Sequence, residues 1–135
     1  MGQQQLLLLV LAAVIVGTGI LLGVNMFQDN AAQSNLDAVT QDCLTLASRA
    51  QAWYRRPVAL AGGGQTFTGG GGITLAKLNF VSPNENGTFT LPTIAANQLV
   101  IRGVGREDGD DADTTPVTVE VTVNNDNVTT NIISQ

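Results

Sequence analysis

Residues 6–27 read LLLLVLAAVIVGTGILLGVNMF, and this run decides the fold because only a bilayer or a protein interior can accommodate it. The first 28 residues carry no charged side chain. About 20 apolar residues at a rise of 1.5 Å span a hydrocarbon layer roughly 30 Å thick, so the run is long enough to cross a membrane. No small-residue cleavage site follows it, and no Lys or Arg precedes Arg49. These features disfavour a removable secretory signal, and the usual positive flank of a membrane anchor is also missing.

The chain continues past this run without a proline until Pro57, and its pattern becomes apolar on one stripe only. The stripe residues recur at steps of three and four: Leu36, Val39, Cys43, Ala47, Ala50 and Tyr54. This spacing predicts an amphipathic helix. We therefore expect one helix from near residue 3 to near Arg55, roughly 80 Å long at 1.5 Å per residue. Pro57 and the glycine runs 62–64 and 69–72 end it.

The C-terminal half of the chain predicts strands. Residues 116–124 alternate Val with polar residues, which is the period of two expected for a strand with one buried and one exposed face. Further strand candidates are 87–91, 98–104 and 128–133, the last following an Asn-rich turn at 124–127. Three or four antiparallel strands would have one apolar face, which the striped half of the helix would cover.

The predicted fold class is therefore α+β: a long N-terminal helix, apolar in its first half and amphipathic in its second, packed on a small C-terminal antiparallel sheet. We expect four segments. Residues 1–28 form the apolar helix half, 29–56 the amphipathic half, 57–72 a glycine-rich connector and 73–135 a head made of antiparallel strands.

Charge and cysteine content narrow the range of partners. The formal net charge is -5, and the six basic residues form no patch along the sequence, which disfavours nucleic acid as a partner. A single cysteine excludes an intramolecular disulfide. Because Cys43 belongs to the apolar stripe, we expect a packed thiol rather than a reactive one.

The inventory of side chains disfavours an enzyme. The chain has no His, and no serine lies in a nucleophile elbow. The glycine runs lack the Lys-Ser or Lys-Thr of a phosphate-binding loop and do not join a strand to a helix. We therefore expect a structural function, with no catalytic residues and no resident cofactor.

One acidic segment is a candidate for calcium binding. Residues 107–113 contain five carboxylates, and Asp108, Asp110, Asp111 and Asp113 are the candidate ligands. Their spacing does not match a calcium-binding helix-loop-helix, and a solvated hairpin loop is the alternative.

Two sequons are candidates for N-glycosylation, at Asn86 and Asn127. The pattern is short, and Asn86-Gly87 is also a common turn dipeptide, so a turn is the favoured interpretation there.

The architecture as a whole resembles a mature type IV pilin. The resemblance lies in the short polar start Met1 to Gln5, the apolar run from Leu6, the continuous helix, the glycine-rich connector and the C-terminal sheet. It implies that Met1 is the first residue of a processed chain, that prepilin peptidase has removed a leader, and that the terminal amine is methylated. It also implies a set of residues that govern subunit packing: Gln5, Leu6, Leu9, Ala13, Gly17, Gly19 and Gly23.

Three features depart from the family pattern. Gln5 stands where the family usually has a Glu that is thought to meet a neighbouring subunit's amine. Leu22 lies where a helix-bending proline is common, although Gly17, Gly19 and Gly23 weaken a helix by roughly 1 kcal/mol each. The disulfide loop of many pilins is impossible with one cysteine.

The resemblance implies a subunit that polymerises through its N-terminal helix into an extracellular homopolymer on the cell surface. Before assembly the chain would reside in the inner membrane, and its partners would be further copies of itself and the pilus assembly machinery. Two alternatives stay open. One is a type II secretion pseudopilin, which would make a calcium site in the acidic segment more credible. The other is a single-span anchor that carries a periplasmic binding domain.

Overall fold

The computed structural model describes residues 1–109 and 114–135. A single α-helix, α1, covers Gly2–Arg55 and is followed by short 3-10 turns at Val58–Leu60 and Gly69–Gly71. Four strands follow: β1 Gly87–Ile94, β2 Gln98–Asp108, β3 Pro116–Asn124 and β4 Val128–Ser134. They form one antiparallel sheet in the order β1-β2-β3-β4, against which the second half of α1 packs. The α+β fold expected from the sequence is confirmed.

The chain divides into two compact units inside α1. The apolar unit is Met1–Ala31 and the globular unit is Ala32–Gln135, so the division lies a few residues after the expected segment 1–28. In the described residues, every buried side chain belongs to the globular unit. The hydrophobic core of this protein is therefore assembled without any residue of the apolar unit.

The stripe on α1 forms the helical side of this core. All six stripe residues expected from the spacing are buried, and the stripe is widened by Ala32, Leu46 and Trp53. Burial of a Val or Leu side chain contributes roughly 1.5–3 kcal/mol relative to exposure, so this face provides much of the favourable free energy of folding.

The sheet supplies the opposite side of the core through alternate residues of its central strands. Strand β2 buries Leu99 and Ile101, and their partners in the β2–β3 register are Val123 and Val121. At Gly103, an added Cβ would lie 2.7 Å from Val39 Cγ1 and 2.8 Å from Cys43 Sγ. Helix and sheet approach each other closely at this position because no side chain stands between them, and an Ala there would overpack the core. The remaining buried hydrophobic residues of β3 and β1 are Val117, Val119 and Phe89.

The edge strands are irregular. In β1, the register with β2 shifts between Thr90 and Thr93, next to Pro92, which has no N–H to donate and is tolerated at an edge. In β4, the register with β3 shifts next to Ile133, whose side chain is 51% exposed. Both edges of the sheet therefore end in strands with a bulge, which twists an edge and limits pairing with other strands.

The glycine-rich segment packs on the C-terminal end of α1. The N–H groups of Gly63 and Gln65 donate to the C=O groups of Trp53 and Tyr54 at 2.9 and 2.8 Å. These bonds satisfy carbonyls that the helix end would otherwise leave unpaired. Phe67 is fully buried, with its ring centroid 4.8 Å from that of Tyr54. The segment expected as a connector thus contributes one of the largest side chains of the core.

Candidate membrane and assembly surface

The apolar unit exposes its large side chains to the surroundings. Between Leu6 and Phe27 the exposed fraction of these side chains ranges from 50% at Val24 to 81% at Phe27. An 18-residue window of α1 has a mean hydropathy of 2.8, and none of that window is buried within the chain. Among the described residues, α1 is the one helix long and apolar enough to cross a membrane, which is compatible with membrane anchoring.

The glycines of the apolar unit have open space around them. An added Cβ at Gly17, Gly19 or Gly23 would meet no atom within 4 Å. Nothing in residues 1–109 and 114–135 therefore requires their small size. Gly19 and Gly23 are four residues apart on one face of α1, the spacing that allows two apolar helices to approach closely.

The polar side chain in the middle of the apolar unit is satisfied locally. Thr18 Oγ1 donates within the helix, at 3.1 Å from the C=O of Val14 and 3.0 Å from that of Ile15. A hydroxyl paired in this way can enter hydrocarbon without leaving an unpaired donor. Thr18 therefore does not oppose burial of the segment in a bilayer or among other helices.

The residues expected to govern subunit packing all lie on this surface. The structure brings none of them into contact with the core, because each precedes Ala32 and each is exposed except Gly23, which is half-buried. The full set is Gln5, Leu6, Leu9, Ala13, Gly17, Gly19 and Gly23. Met1, the candidate for N-terminal processing, is fully exposed immediately before α1.

The calcium candidates fall at the end of β2 and beyond it. Asp108 is the last residue of β2 and is exposed, whereas Asp110, Asp111 and Asp113 lie outside the described residues. Within 1–109 and 114–135, no three His, Cys, Asp or Glu residues lie close enough together to hold a metal ion. Calcium binding stays a prediction from the sequence.

The two sequon asparagines have different surroundings. Asn86 is half-buried, and its Nδ2 donates to Asp42 Oδ2 at 2.8 Å while its C=O accepts from Asn35 Nδ2 at 2.9 Å. Asn127 lies in the exposed β3–β4 turn, where its Oδ1 accepts from Asn124 Nδ2 at 2.7 Å. A sugar on Asn86 would break the bond to Asp42, whereas the turn at Asn127 leaves more room.

Sequence reasoning missed a polar clasp between α1 and the turn before β1. Asp42 Oδ2 accepts from Asn84 Nδ2 at 3.0 Å as well as from Asn86, and the Asn84 N–H donates to the C=O of Gly87 at 2.9 Å. Asn35 extends the clasp, because its Oδ1 accepts from the backbone N–H of Arg106 at 2.9 Å. The one signal in the sequence is the clustering of Asn residues before a Gly, which predicts a turn but not its partner.

Cys43 is fully buried, as the stripe predicts. Burial, together with the nearby Asp42 carboxylate, raises the pKa of its thiol from 9.0 to about 12, although a hydrogen bond with the backbone of Gly103 acts in the opposite direction. The thiol stays neutral near pH 7 and is unsuited to nucleophilic chemistry or metal ligation.

Comparisons of this chain with protein-family models, with curated proteins and with solved structures found no match.

Proposed function

We propose that this protein is the structural subunit of a type IV pilus-like filament, held in the inner membrane before assembly and polymerised through α1. The observation that carries the proposal is the exposed, uncharged apolar helix that continues without a break into the helix at the core of a small α+β unit. The polar start of the chain, including Gln5, precedes this run as it does in type IV pilins.

The energetics of the apolar unit support two successive environments. Leaving the thirteen Leu, Val and Ile side chains of residues 6–27 in water would cost on the order of tens of kcal/mol at roughly 25 cal/mol per Å². A bilayer removes this cost for a single copy. Other copies of the same helix remove it after assembly, so one segment serves as membrane anchor first and as filament core afterwards.

The contact between identical helices determines the form of the polymer. A head-to-tail contact between identical copies generates an open helix when the rotation does not close into a ring. The small residues Gly19 and Gly23 support close packing in such a core, because they leave a gap on the helix surface that none of the described residues fills.

Two alternatives differ in what they require. A type II secretion pseudopilin would have the same helix, and calcium-dependent stability of the globular unit would favour it. A single-span anchor for a periplasmic binding domain would place the same helix in a membrane permanently, and would require no filament.

The experiment is electron microscopy of filaments sheared from the native cells, combined with mass spectrometry of the intact subunit. We expect filaments composed of this chain, with a mass that begins at a methylated Met1. If the chain is found only in the membrane fraction with no polymer, the proposed function is wrong and the anchored binding domain is the better account.

A matched pair of substitutions tests the role of the helix. Leu9 in the apolar unit and Leu60 in the globular unit are 68% and 66% exposed. We expect Leu9→Gln to lower filament yield at least several-fold and Leu60→Gln to leave it unchanged. Neither variant should change the melting temperature, because neither residue belongs to the hydrophobic core.

A further inference from the structure

Four of the six basic residues lie at one end of the globular unit: Arg49, Arg55, Arg56 and Lys77. Arg55 is the last residue of α1, Arg56 follows it, and Arg49 lies six residues before the helix end. Lys77 Nζ lies 5.8 Å from the centroid of the Trp53 ring. In the described part of the chain, the ion pair found joins Arg102 to Glu120 at 2.8 Å, so none of the four has a carboxylate partner there.

Three of these cations, Arg49, Arg56 and Lys77, line a cavity of about 220 Å³ beside Trp53, which we call the basic basin. The other lining residues are Ala52, Trp53, Leu78 and Asn79. Backbone carbonyls hold two of the cations in place. Arg49 Nη1 donates to the C=O of Asn79 at 2.8 Å, and Lys77 Nζ donates to the C=O of Gly70 at 2.8 Å. Carbonyl oxygens fix the position of a cation without neutralising it, so the basin keeps its positive charge.

The opposite end of the globular unit is acidic. Glu107 and Asp108 are exposed at the end of β2, and the Glu107 N–H donates to Asn35 Oδ1 at 3.3 Å, which places them level with the start of the stripe. Exposed Asp37 lies two residues further along α1, and exposed Glu85 lies in the turn beside Asn86, which is bonded to Asn35. These carboxylates outnumber Arg106, the one cation at this end among the described residues.

Two independent lengths give the separation of the ends. Tyr54 Oη donates to Asn97 Oδ1, one residue before β2 begins, and Asn35 Oδ1 accepts from the N–H of Arg106 near the end of β2. From residue 35 to residue 54 the helix rises about 29 Å at 1.5 Å per residue. From residue 98 to residue 107 the strand rises about 30 Å at 3.3 Å per residue. The basic and acidic ends therefore lie roughly 30 Å apart, well beyond the screening length of about 8 Å at physiological salt, and cannot neutralise each other within one copy.

We propose that the basic basin of one copy receives the carboxylates of Glu107 and Asp108 of a second copy, as a head-to-tail contact between globular units. The second copy is the occupant because one chain carries both complementary surfaces at opposite ends. Such a contact is heterologous and repeats without limit, which is the symmetry of an open filament. This inference rests on the proposed function. It adds the contact that joins the globular unit of one copy to that of the next copy along the filament.

Charge reversal at each end tests the contact. The basin variant carries Arg56→Glu and Lys77→Glu, and the acidic-end variant carries Glu107→Lys and Asp108→Lys. We expect each variant to lower filament yield at least tenfold and the four-fold variant, with both ends reversed, to restore it to within about threefold of the original chain. Arg102→Ala with Glu120→Ala is the matched control, since it removes an exposed ion pair away from both ends, and we expect no change in filament yield. Circular dichroism of each purified chain in detergent verifies the fold.

A second measurement applies even if no filament forms. In detergent micelles, the basin variant and the acidic-end variant can each make the contact through one end only. Sedimentation should therefore show no self-association of either variant alone, a complex when the two variants are mixed, and loss of that complex in about 0.5 M salt, which reduces the screening length to a few ångströms.

The outcomes separate this inference from the proposed function. The head-to-tail contact would be wrong if filament yield were unchanged in both single-end variants, or if the filament yield of the four-fold variant were as low as that of either single-end variant. Either result would leave the filament proposal intact. If the chain associates in micelles with the expected charge dependence but forms no filament in cells, the filament proposal is wrong and the head-to-tail contact is supported.

Discussion

Asp42 lies beside the buried stripe of α1 and is the acceptor that ties the helix to the turn before β1. It receives the side-chain amides of Asn84 and Asn86, at 3.0 and 2.8 Å. A hydrogen bond to a charged acceptor contributes about 1.5–3 kcal/mol, and removal of the acceptor leaves two half-buried amides without it. The clasp therefore fixes the position of the segment that leads into the sheet.

The first prediction follows from this clasp. We expect Asp42→Ala to lower the free energy of unfolding by about 2 kcal/mol. Asp37→Ala is the matched control on the same helix, because Asp37 is exposed and accepts only from Gln33 at 3.3 Å, so its removal should cost under about 0.5 kcal/mol. Urea unfolding of both variants in detergent measures the difference, and equal costs would contradict the role of the clasp.

The second prediction concerns the Cys43 thiol. Its native pKa of about 12 exceeds the ordinary value of 9.0, so the unfolded chain releases this proton at lower pH than the folded chain does. The thiol's contribution to stability is therefore complete below pH 9 and is lost as pH rises from about 9 towards 12, by up to about 1.4 kcal/mol per pH unit. Comparison of unfolding curves for the original chain and Cys43→Ala across this range isolates the contribution from that of other groups.

A labelling experiment gives the same residue an independent readout. In the folded chain at pH 8, a thiol reagent should modify Cys43 at least a hundredfold more slowly than in the unfolded chain. Rapid labelling of the folded chain would mean that the thiol is accessible, and the packing assigned to it would be wrong.

At the scale of elements, α1 combines two helices of different character. Its second half is held by the core, whereas the first half contains three glycines at which an added Cβ would meet no atom of the described residues within 4 Å. Each glycine weakens an isolated helix by roughly 1 kcal/mol relative to Ala. A single copy gains nothing from these residues, so their use must depend on what surrounds the helix.

The third prediction is that one double substitution stabilises the helix of the single chain and weakens the filament. We expect Gly19→Ala with Gly23→Ala to raise the helix content of the single chain in detergent, because the added methyl groups meet no atom within 4 Å. The same variant should lower filament yield, because the methyl groups keep neighbouring helices apart. Circular dichroism and the yield of sheared filaments measure the two effects, and an unchanged yield would show that these glycines do not lie at a helix contact.

At the scale of the whole molecule, the core is complete without the apolar unit. Every buried residue of the described chain is found from Ala32 onwards. Removal of the apolar run should therefore leave the interactions that stabilise the globular unit in place.

The fourth prediction is that a chain beginning at Asp29 folds in water and is monomeric in about 0.5 M salt, which screens the charged contact between globular units. We expect its unfolding free energy to match that of the globular unit in the full chain within about 1 kcal/mol, a shift in Tm of under roughly 8 °C for a domain of this size. Thermal melting and sedimentation are the measurements. Aggregation or loss of cooperative unfolding would mean that the apolar unit supports the core.

Much of this fold was predictable because the apolar residues of its helix and strands recur with regular periods in the sequence. The stripe from Leu36 to Tyr54 and the alternation of β3 are local signals, and both were confirmed. Two features were not predictable. The burial of Phe67 depends on how the glycine-rich segment folds back, and the bonds of Asp42 join residues more than forty positions apart.

These misses share a physical reason. Periodicity reports which face of an element is apolar, but it carries no information about which polar residue another segment will reach. The sequence from Leu6 onwards predicts that the apolar unit has an apolar surface. It does not predict what covers that surface, because the covering molecule lies outside the chain.

The packing of the α1 stripe against the sheet in one core has a mechanical consequence. The covalent chain leaves the helix only at Arg55, and the stripe contacts the sheet along its length from Ala32. A tension applied along the helix axis from the N-terminal side would have to slide the helix lengthwise and break these contacts together rather than one after another. We expect this loading in shear to resist a pulling force far better than peeling of the sheet from one edge would.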